Sequence, residues 1–415
     1  MTRWQRLSIT GVTLGTIIAL LIAACAESSE DSKSADATLR PTATPTMAAS
    51  ASARPKAVAP AHAARQTRSN AANAPLSGMP QIAKPTNIYA DAGAGMLSDV
   101  VRHDPYRIYV PNSGGSSVAV INPHTMHVIR VIQTGLNPQH VVPSYDLKTL
   151  YVTNDQSNSL TPINPRTARR AGPDIPVDDP YNMYFTPDGH YAIVVAEARQ
   201  HLDFRDPHTF KLRHRVKVDC PGVDHIDFSA NGGYLIATCE FSGRLVKVNL
   251  HTHKVVGYLN LPNGSPQDIK LDPSGRVFYV ADKYRGGVWL IRASTFRVMR
   301  FIHTGTDAHG LYPSRNAHFL YVTNRGSGSV SIINFRTRKL VKTWHIPGGG
   351  SPDMGNTSPS GNVLWLSGRY NSAVYALSTR TGRLLGRIAV GLQPHGLCVW
   401  PQPGRYSLGH TGVMR

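Results

Sequence analysis

The sequence predicts an all-β protein whose main domain is a seven-bladed β-propeller with four-stranded antiparallel blades. Three observations predict it: a strand-like motif recurs seven times, a threonine in a later turn recurs with the same spacing, and each repeat holds four short apolar runs. One four-stranded sheet cannot bury both of its faces. Seven such sheets bury them by packing around a common axis.

The first landmark is an apolar strand that reads IYVPN at its first copy and LYVTN at its second and sixth. Its seven copies, separated by 42, 42, 43, 43, 42 and 44 residues, contain Tyr109, Tyr151, Ile193, Ile236, Tyr279, Tyr321 and Trp365. The same six steps separate the turn threonines Thr125, Thr167, Thr209, Thr252, Thr295, Thr337 and Thr381. Two landmarks that keep one spacing through seven copies establish the repeat.

The ends of the repeat array predict how the ring closes. Within a repeat, the apolar runs alternate with Gly, Pro, Asn and Asp turns, which is typical of an antiparallel meander. An inner-strand pattern occurs both at residues 96–100 and at residues 395–399, one copy more than seven blades need. We expect the later copy to complete the first blade, because closing the circle removes an open sheet edge.

The first residues are typical of an export signal. A basic start, MTRWQR, is followed by an apolar stretch from Leu7 to Ala24 and then by Cys25. The string Leu-Ile-Ala-Ala-Cys that ends at Cys25 resembles the lipobox of bacterial lipoproteins. This resemblance implies that residues 1–24 are a removed signal peptide and that Cys25 carries acyl chains such as palmitate. The protein would then be anchored to the cell membrane on its extracytoplasmic face. The alternative is a plain secretory signal with an incidental cysteine.

Residues 25–88 predict a disordered stalk between this anchor and a propeller that spans residues 89–415. The segment consists mainly of Ala, Ser, Thr and Pro with scattered charges. Such a composition offers almost no apolar surface to offset the entropy of ordering the backbone, so it forms no core.

The repeat motif also resembles a known family. The LYVTN strings at 150–154 and 320–324, the second followed by the strand SVSIIN, resemble the YVTN family of bacterial β-propellers, also called YncE-like. The resemblance covers residues 96 to about 404, and blades three, four and seven keep its spacing more than its letters. It implies an exported or surface-displayed propeller of a group in which many members have no settled biochemical role. The GH and WD signatures of WD40 repeats are absent from the sequence.

Polar residues at the start of the inner strands are candidates for chemistry, because inner strands line the central channel. Counting to one fixed place in each repeat places His140, Asn182, His225, Asp268, His309 and Met354 in a ring, with His395 one place earlier in its own repeat. Imidazole and carboxylate groups converging on an axis predict a metal site, with copper or zinc as the ion. The alternative is that the channel is too wide for one ion and that the histidines bind channel water.

Two cysteines flank one predicted hairpin. Folding the hairpin about Asn231 and Gly232 brings Cys220 and Cys239 together, so they are candidates for a disulfide in an oxidising compartment. The alternative is a metal site that combines these thiols with His225 and Glu240. Cys398 lies in an apolar strand, which is typical of a buried core thiol.

The net positive charge and the absence of common catalytic motifs favour one of two functional hypotheses. The 44 Lys and Arg residues outnumber 25 Asp and Glu, giving a net charge of +19 that favours anionic partners. We find no GxSxG elbow, HExxH motif, P-loop or dinucleotide fingerprint. The leading hypothesis is a non-catalytic binding or scaffold module for an anionic envelope polymer, such as a cell-wall polymer or nucleic acid, or for a protein partner. The alternative is a metal carrier or a metal-dependent enzyme of oxidoreductase or lactonase type, with its site in the channel.

Overall fold

The computed structural model describes residues 74–415, which contain seven antiparallel β-sheets arranged as a seven-bladed propeller. The predicted fold class is therefore confirmed. The proposed signal peptide, Cys25 and the stalk up to residue 73 lie outside the described residues. No helix in residues 74–415 is both long enough and apolar enough to cross a bilayer.

Blades 2 to 7 each take their strands from one sequence repeat, in order from the channel outward, whereas blade 1 takes its innermost strand from the C-terminal end of the chain. Blade 1 contains β1 (Arg107–Asn112), β2 (Ser117–Asn122) and β3 (His127–Gln133). Blade 2 contains β4 (Pro138–Pro143), β5 (Leu150–Asn154), β6 (Ser159–Asn164), β7 (Arg169–Arg170) and β8 (Ile175–Pro176). Blade 3 contains β9 (Pro180–Phe185), β10 (Ala192–Ala196), β11 (His201–Arg205) and β12 (Leu212–Lys217).
Blades 4 to 7 contain β13 (Val223–Phe228), β14 (Tyr234–Cys239), β15 (Arg244–Asn249), β16 (Lys254–Asn260); β17 (Pro266–Leu271), β18 (Val277–Asp282), β19 (Gly287–Arg292), β20 (Arg297–His303); β21 (Ala308–Pro313), β22 (Phe319–Asn324), β23 (Ser329–Asn334), β24 (Lys339–His345); β25 (Pro352–Thr357), β26 (Val363–Gly368), β27 (Ala373–Ser378) and β28 (Leu384–Ala389). The last strand is β29 (Cys398–Trp400), and short 3₁₀ helices span Ala90–Ala92 and Ser113–Gly115.

The core lies between neighbouring blades. The three inner strands of a blade are largely buried on both faces, as in β18, where all residues of Val277–Asp282 are buried. The fourth strand alternates instead, and β16 exposes every second residue to solvent. This difference follows from packing, because inner strands contact blades on both sides while the outermost strand forms the rim.

The ring closes through β29. This strand pairs antiparallel with β1, in register Arg107 with Trp400 and Tyr109 with Cys398. Residues 98–103 form turns, and Leu97 makes only an isolated bridge to Gly404. The structure therefore confirms that the later of the two surplus patterns completes blade 1.

Two segments outside the blades lie against the propeller. In residues 74–88, which the sequence analysis assigned to the stalk, the Leu76 amide donates to the Asn231 carbonyl and Ile88 is buried. Residues 401–415, named here the closing segment, follow β29 and are buried except for Arg405. Their contacts reach several blades, since the His410 amide donates to Met183 O at 2.8 Å and the Thr411 hydroxyl donates to Gly355 O at 3.2 Å.

The cysteines of blade 4 are joined. Cys220 and Cys239 form a disulfide with their Cα atoms 5.1 Å apart, linking the segment before β13 to the end of β14. Cys398 is a buried free thiol whose pKa is raised by burial. The described structure thus uses these thiols for a covalent link and for core packing.

Candidate functional site

Two stacked rings of side chains line the channel, each formed by one position of the inner strands. The second position of each strand forms the mouth ring, which consists of Gln139, Tyr181, Asp224, Gln267, His309, Asp353 and His395. The third position forms the deep ring, which consists of His140, Asn182, His225, Asp268, Gly310, Met354 and Gly396. Adjacent residues of a strand thus contribute to different levels of the channel.

The ring assignment follows from a hydrogen bond repeated in several blades. The backbone amide of the deep-ring residue donates to a threonine or serine hydroxyl of the next strand: His140 to Thr153 at 3.0 Å, His225 to Thr238 at 2.9 Å and Met354 to Ser367 at 3.1 Å. In blade 6 the same bond is made by Gly310, at 2.7 Å to Thr323. The sequence count that placed His309 beside His140 was therefore wrong by one position, and His309 lies in the mouth ring with His395.

Three histidines form the deep site: His140 and His225 from the deep ring, and His410 from the closing segment. Each offers one ring nitrogen as a ligand atom, and the three atoms lie within 4.8 Å of one another. The ring centroids of His140 and His410 are 5.1 Å apart, and those of His225 and His410 are 4.9 Å apart. All three side chains have zero exposure, so the site is enclosed.

One nitrogen of each ring makes no hydrogen bond. Nε2 of His140, His225 and His410 is buried without a hydrogen-bond partner, although Nε2 of His225 lies 3.2 Å from Oδ1 of the buried Asp224. Nδ1 of His140 lies 3.0 Å from the Tyr181 carbonyl, to which it donates as the protonated nitrogen. The side-chain amide of Asn182 lies between the other two rings, with its nitrogen 3.2 Å from Nδ1 of His225 and 3.0 Å from Nδ1 of His410.

Burial keeps four imidazoles of the channel neutral. It lowers the pKa of His140 to about 3 and holds the pKa values of His225, His395 and His410 well below the usual range. Neighbouring histidines lower these pKa values further, because each charged ring would repel the next. A neutral imidazole is the form that binds a metal ion.

The mouth site is a second group, formed by His309, Asp353 and His395, whose ligand atoms also lie within 4.8 Å of one another. Nδ1 of His309 lies 2.9 Å from Asp353 Oδ1, and Nε2 of His395 lies 3.6 Å from Asp353 Oδ2. Burial alone would raise the pKa of Asp353, but His309 and Arg325 hold it at about 2, so the carboxylate is ionised. Oδ2 of this carboxylate has no hydrogen-bond partner.

Asp268 has a different role from the one the sequence suggested. Its Oδ1 accepts the Ile269 amide at 2.8 Å, and its Oδ2 accepts the Leu311 amide at 2.9 Å from the neighbouring blade. The nearest ring nitrogen of His410 is 4.0 Å away. Because both oxygens hold backbone amides, Asp268 links blades 5 and 6 and belongs to neither metal-ligand group.

A cavity of about 330 Å³ opens above the mouth ring. Its lining includes His309, His395, Arg325 and Arg369, and loops from several blades form its walls. Both histidines of the mouth site therefore face open space, whereas the deep site lies below them and is covered by the closing segment.

Sequence reasoning missed two of the six ligand candidates. His410 lies outside the seven repeats, so no periodic signal pointed to it. Asp353 occupies the position that precedes the counted one, and that position carries a polar or ionisable residue in all seven inner strands. Comparing both positions across the repeats would have found it.

Comparisons with known proteins agree with the observed fold. Residues 91–219 match the model of the family described as YncE-like β-propeller. The uncharacterised protein YncE of Salmonella typhi is 20% identical over 274 residues, which are 62% of this chain and 76% of that protein. The structure is similar to Kuenenia stuttgartiensis hydrazine synthase (TM-score 0.58, 18% identity, 66% of this chain and 92% of that one). It is also similar to a functionally unknown protein of Desulfotomaculum acetoxidans (TM-score 0.58, 14% identity, 71% of this chain and 98% of that one).

Proposed function

We propose that this chain, a YncE-like β-propeller, is a metalloprotein that holds a copper or zinc ion in the deep site of its channel. The observation that carries this proposal is the convergence of three buried imidazoles, those of His140, His225 and His410. Each places one ring nitrogen within 4.8 Å of the other two, and each has an Nε2 without a hydrogen bond. Leaving a buried polar atom unpaired costs on the order of 1 to 3 kcal/mol. A metal ion would bind all three nitrogens at once.

The dimensions of the deep site suit one ion. Three atoms no more than 4.8 Å apart share a centre that is at most ~2.8 Å from each, so an inward movement of ~0.7 Å reaches a metal–nitrogen bond of ~2.1 Å. Imidazole ligands suit copper and zinc, and because the rings are neutral at pH 7, no imidazolium has to lose its charge before a metal binds. The cover formed by the closing segment favours retention of the ion over exchange with solvent.

Elemental analysis of the full chain tests the proposal. Protein purified without chelator, or depleted and reloaded, should carry copper or zinc near stoichiometry. The double variant His140→Gln, His225→Gln should lose that ion while keeping its circular dichroism spectrum. The matched control is His318→Gln, because His318 is exposed on an outer turn. A wild-type protein that stays metal-free after reloading with both ions would contradict the proposal.

A second candidate function rests on the rim. The fourth strands are exposed and carry cations, as in β12 (Leu212–Lys217), β20 (Arg297–His303) and β24 (Lys339–His345), whose sequences are LRHRVK, RVMRFIH and KLVKTWH. Cations on the outer strands of successive blades favour a polyanion that follows the edge of the propeller. We therefore also propose that the rim binds an anionic envelope polymer.

Salt dependence tests the rim proposal. Retention on immobilised cell-wall polymer or on an oligonucleotide should fall steeply as salt rises from about 50 to 200 mM. The variant Arg297→Gln, Arg300→Gln, Lys339→Gln, Lys342→Gln should reduce both retention and its salt slope without changing the metal content. Retention that is indifferent to salt would rule out an electrostatic rim.

Lipid anchoring through Cys25 is a further proposal, supported by the lipobox resemblance. Replacing the thiol in Cys25→Ser should abolish incorporation of labelled palmitate and move the protein from the membrane fraction to the soluble fraction. Unchanged membrane retention together with a lack of label in the wild type would refute the anchor. This test is independent of the channel.

A further inference from the structure

We propose that the mouth site is a second metal position, formed by His309, Asp353 and His395, that keeps a coordination place open toward the cavity and accepts a small anion there. It uses none of the ligands of the deep site, so either proposal can fail without the other. The ligand class is a small carboxylate or inorganic anion that binds the metal directly.

The ligand types of the mouth site favour binding of a divalent metal ion. Two imidazoles and one carboxylate are a common set for divalent zinc and for iron(II), and both leave positions for water or substrate. Asp353 is fully buried, and its Oδ2 has no hydrogen-bond partner while facing Nε2 of His395 at 3.6 Å. A buried carboxylate oxygen without a donor is costly unless a cation completes it.

The groups behind the ligands support the same interpretation. Nδ1 of His395 donates to the side-chain oxygen of Gln139 at 2.9 Å, which leaves Nε2 as the atom with a free lone pair. Oδ1 of Asp353 is held by His309 and by Arg325 at 3.4 Å, so the other oxygen is left for the metal. Hydrogen bonds of this kind orient metal ligands in proteins.

The surroundings separate the two metal positions. His309 and His395 line the cavity of about 330 Å³, so a metal held by three protein ligands there has access to small molecules. In the deep site, His410 and the rest of the closing segment take the space that an external ligand would need. Structural metal sites are closed and reactive ones keep a position open, which makes the mouth site the reactive one.

The charge of the cavity wall favours an anion. Arg369 lines the cavity, and in residues 74–415 its guanidinium forms no ion pair, its hydrogen bond being to the Ser113 hydroxyl at 3.5 Å. The other two cations are already paired, Lys283 with Glu240 and Arg325 with Asp307. Burial raises the pKa of Glu197 to about 8, so this wall carboxyl is uncharged at pH 7.

Metal counting with cobalt(II) as the probe tests the second position. The full chain, depleted and then loaded with cobalt(II), should bind two ions, one for each ligand group. His140→Gln should lose the deep ion alone, and Asp353→Asn should lose the mouth ion alone. One ion that persists in Asp353→Asn and disappears in His140→Gln would overturn the second position and leave the proposed function standing. No bound ion at all would overturn both.

Azide binding tests whether the metal of the mouth site has an open coordination position and whether that position accepts an anion. Azide should change the visible spectrum of the cobalt in wild type and in His140→Gln, because only the mouth ion is accessible. Arg369→Met should weaken azide binding about tenfold while keeping both ions, since a charge-assisted contact is lost. Arg285→Met, which removes an exposed cation away from the cavity, is the matched control. If azide leaves the cobalt spectrum unchanged while two ions are bound, the mouth metal has no open coordination position and this part of the proposal is wrong.

Discussion

Asn182 controls which nitrogen of two deep-site histidines carries a proton. Its amide nitrogen contacts Nδ1 of both His225 and His410, and its oxygen accepts the Met183 amide at 2.8 Å. In this orientation it donates to Nδ1, which puts the ring protons of the neutral histidines on Nε2. Metal binding through Nε2 of these two rings would require each ring proton to move from Nε2 to Nδ1 and the amide to turn its oxygen toward Nδ1, so Asn182 sets part of the cost of the proposed loading.

The variant Asn182→Asp tests this role. A carboxylate accepts Nδ1–H from both rings and leaves both Nε2 atoms free for the metal, so zinc affinity should rise about tenfold. The metal-free protein should become less stable, because the new charge is buried. Competition titration with a chromophoric chelator measures the affinity, and Asn182→Leu, which offers no acceptor, should bind zinc more weakly than wild type. Equal affinities in the three proteins would exclude tautomer control.

Glu197 makes stability depend on pH. Burial, reinforced by Glu240 and Asp179, raises its pKa from 4.5 to about 8 in the folded protein. Below pH 4.5 both states hold the proton. Between pH 4.5 and 8 the unfolded state ionises while the folded state does not, so the contribution of Glu197 to stability is lost as pH rises through this interval.

Glu197→Gln should remove that dependence. We expect the melting temperature of the variant minus that of wild type to increase steadily from pH 4.5 to pH 8 and then to level off. Thermal unfolding followed by circular dichroism across this range measures it. A constant difference would mean that the carboxyl ionises normally in the folded protein.

At the scale of the element, blade 4 is the blade with a covalent link in the described part of the chain. The Cys220–Cys239 disulfide spans 19 residues and holds β14 to the segment that leads into β13, which carries His225. A link across a loop of this length restricts the unfolded chain and stabilises the folded one by about 3 kcal/mol.

The variant Cys220→Ala, Cys239→Ala should therefore unfold at a lower denaturant concentration, with a loss of about 3 kcal/mol in the free energy of unfolding. Urea titration of the oxidised wild type, the reduced wild type and the variant measures it. The reduced wild type should resemble the variant. Coincidence of all three curves would show that the disulfide does not stabilise this blade.

The repeats made the blades predictable, and the exceptions to the repeats limited the prediction of the site. Tyr109 and its six counterparts gave the spacing, because packing against two neighbouring blades imposes the same apolar strand on every repeat. In blade 6 the inner strand starts at Ala308 instead of at a proline, and the count from the proline-like position therefore assigned His309 to the wrong level. Loop length is not constrained by blade packing, so the register of a single histidine could not be read from spacing alone.

At the scale of the whole molecule, the closing segment contributes both to the closure of the propeller and to the ligand set of the proposed deep metal site. β29 completes blade 1, and His410 reaches the deep site only because residues 401–415 cross beneath the channel. Sequence reasoning predicted the first of these roles from the surplus strand pattern. It could not predict the second, because a segment outside the repeats is placed by tertiary contacts alone.

Deleting residues 401–415 and mutating His410→Gln should separate the two roles. His410→Gln should lose the deep ion and keep most of the melting temperature, since a polar side chain of similar size still fills the site. The deletion should lose the ion and also lower the melting temperature, because buried contacts with blades 3 and 7 disappear. Calorimetry with elemental analysis measures both. An intact deep ion in the deletion variant would show that the segment supplies no ligand.

Trp400 and His410 follow all seven blades in the chain, which determines when the deep site can form. Synthesis proceeds from the N-terminal end, so the blades emerge before the strand that joins the last to the first and before the third imidazole of the deep site. A nascent chain presents isolated histidines and no enclosed ligand set. If the deep site binds a metal as proposed, acquisition follows the folding of these last residues, and the ion selected is the one available in the compartment where the chain finishes folding.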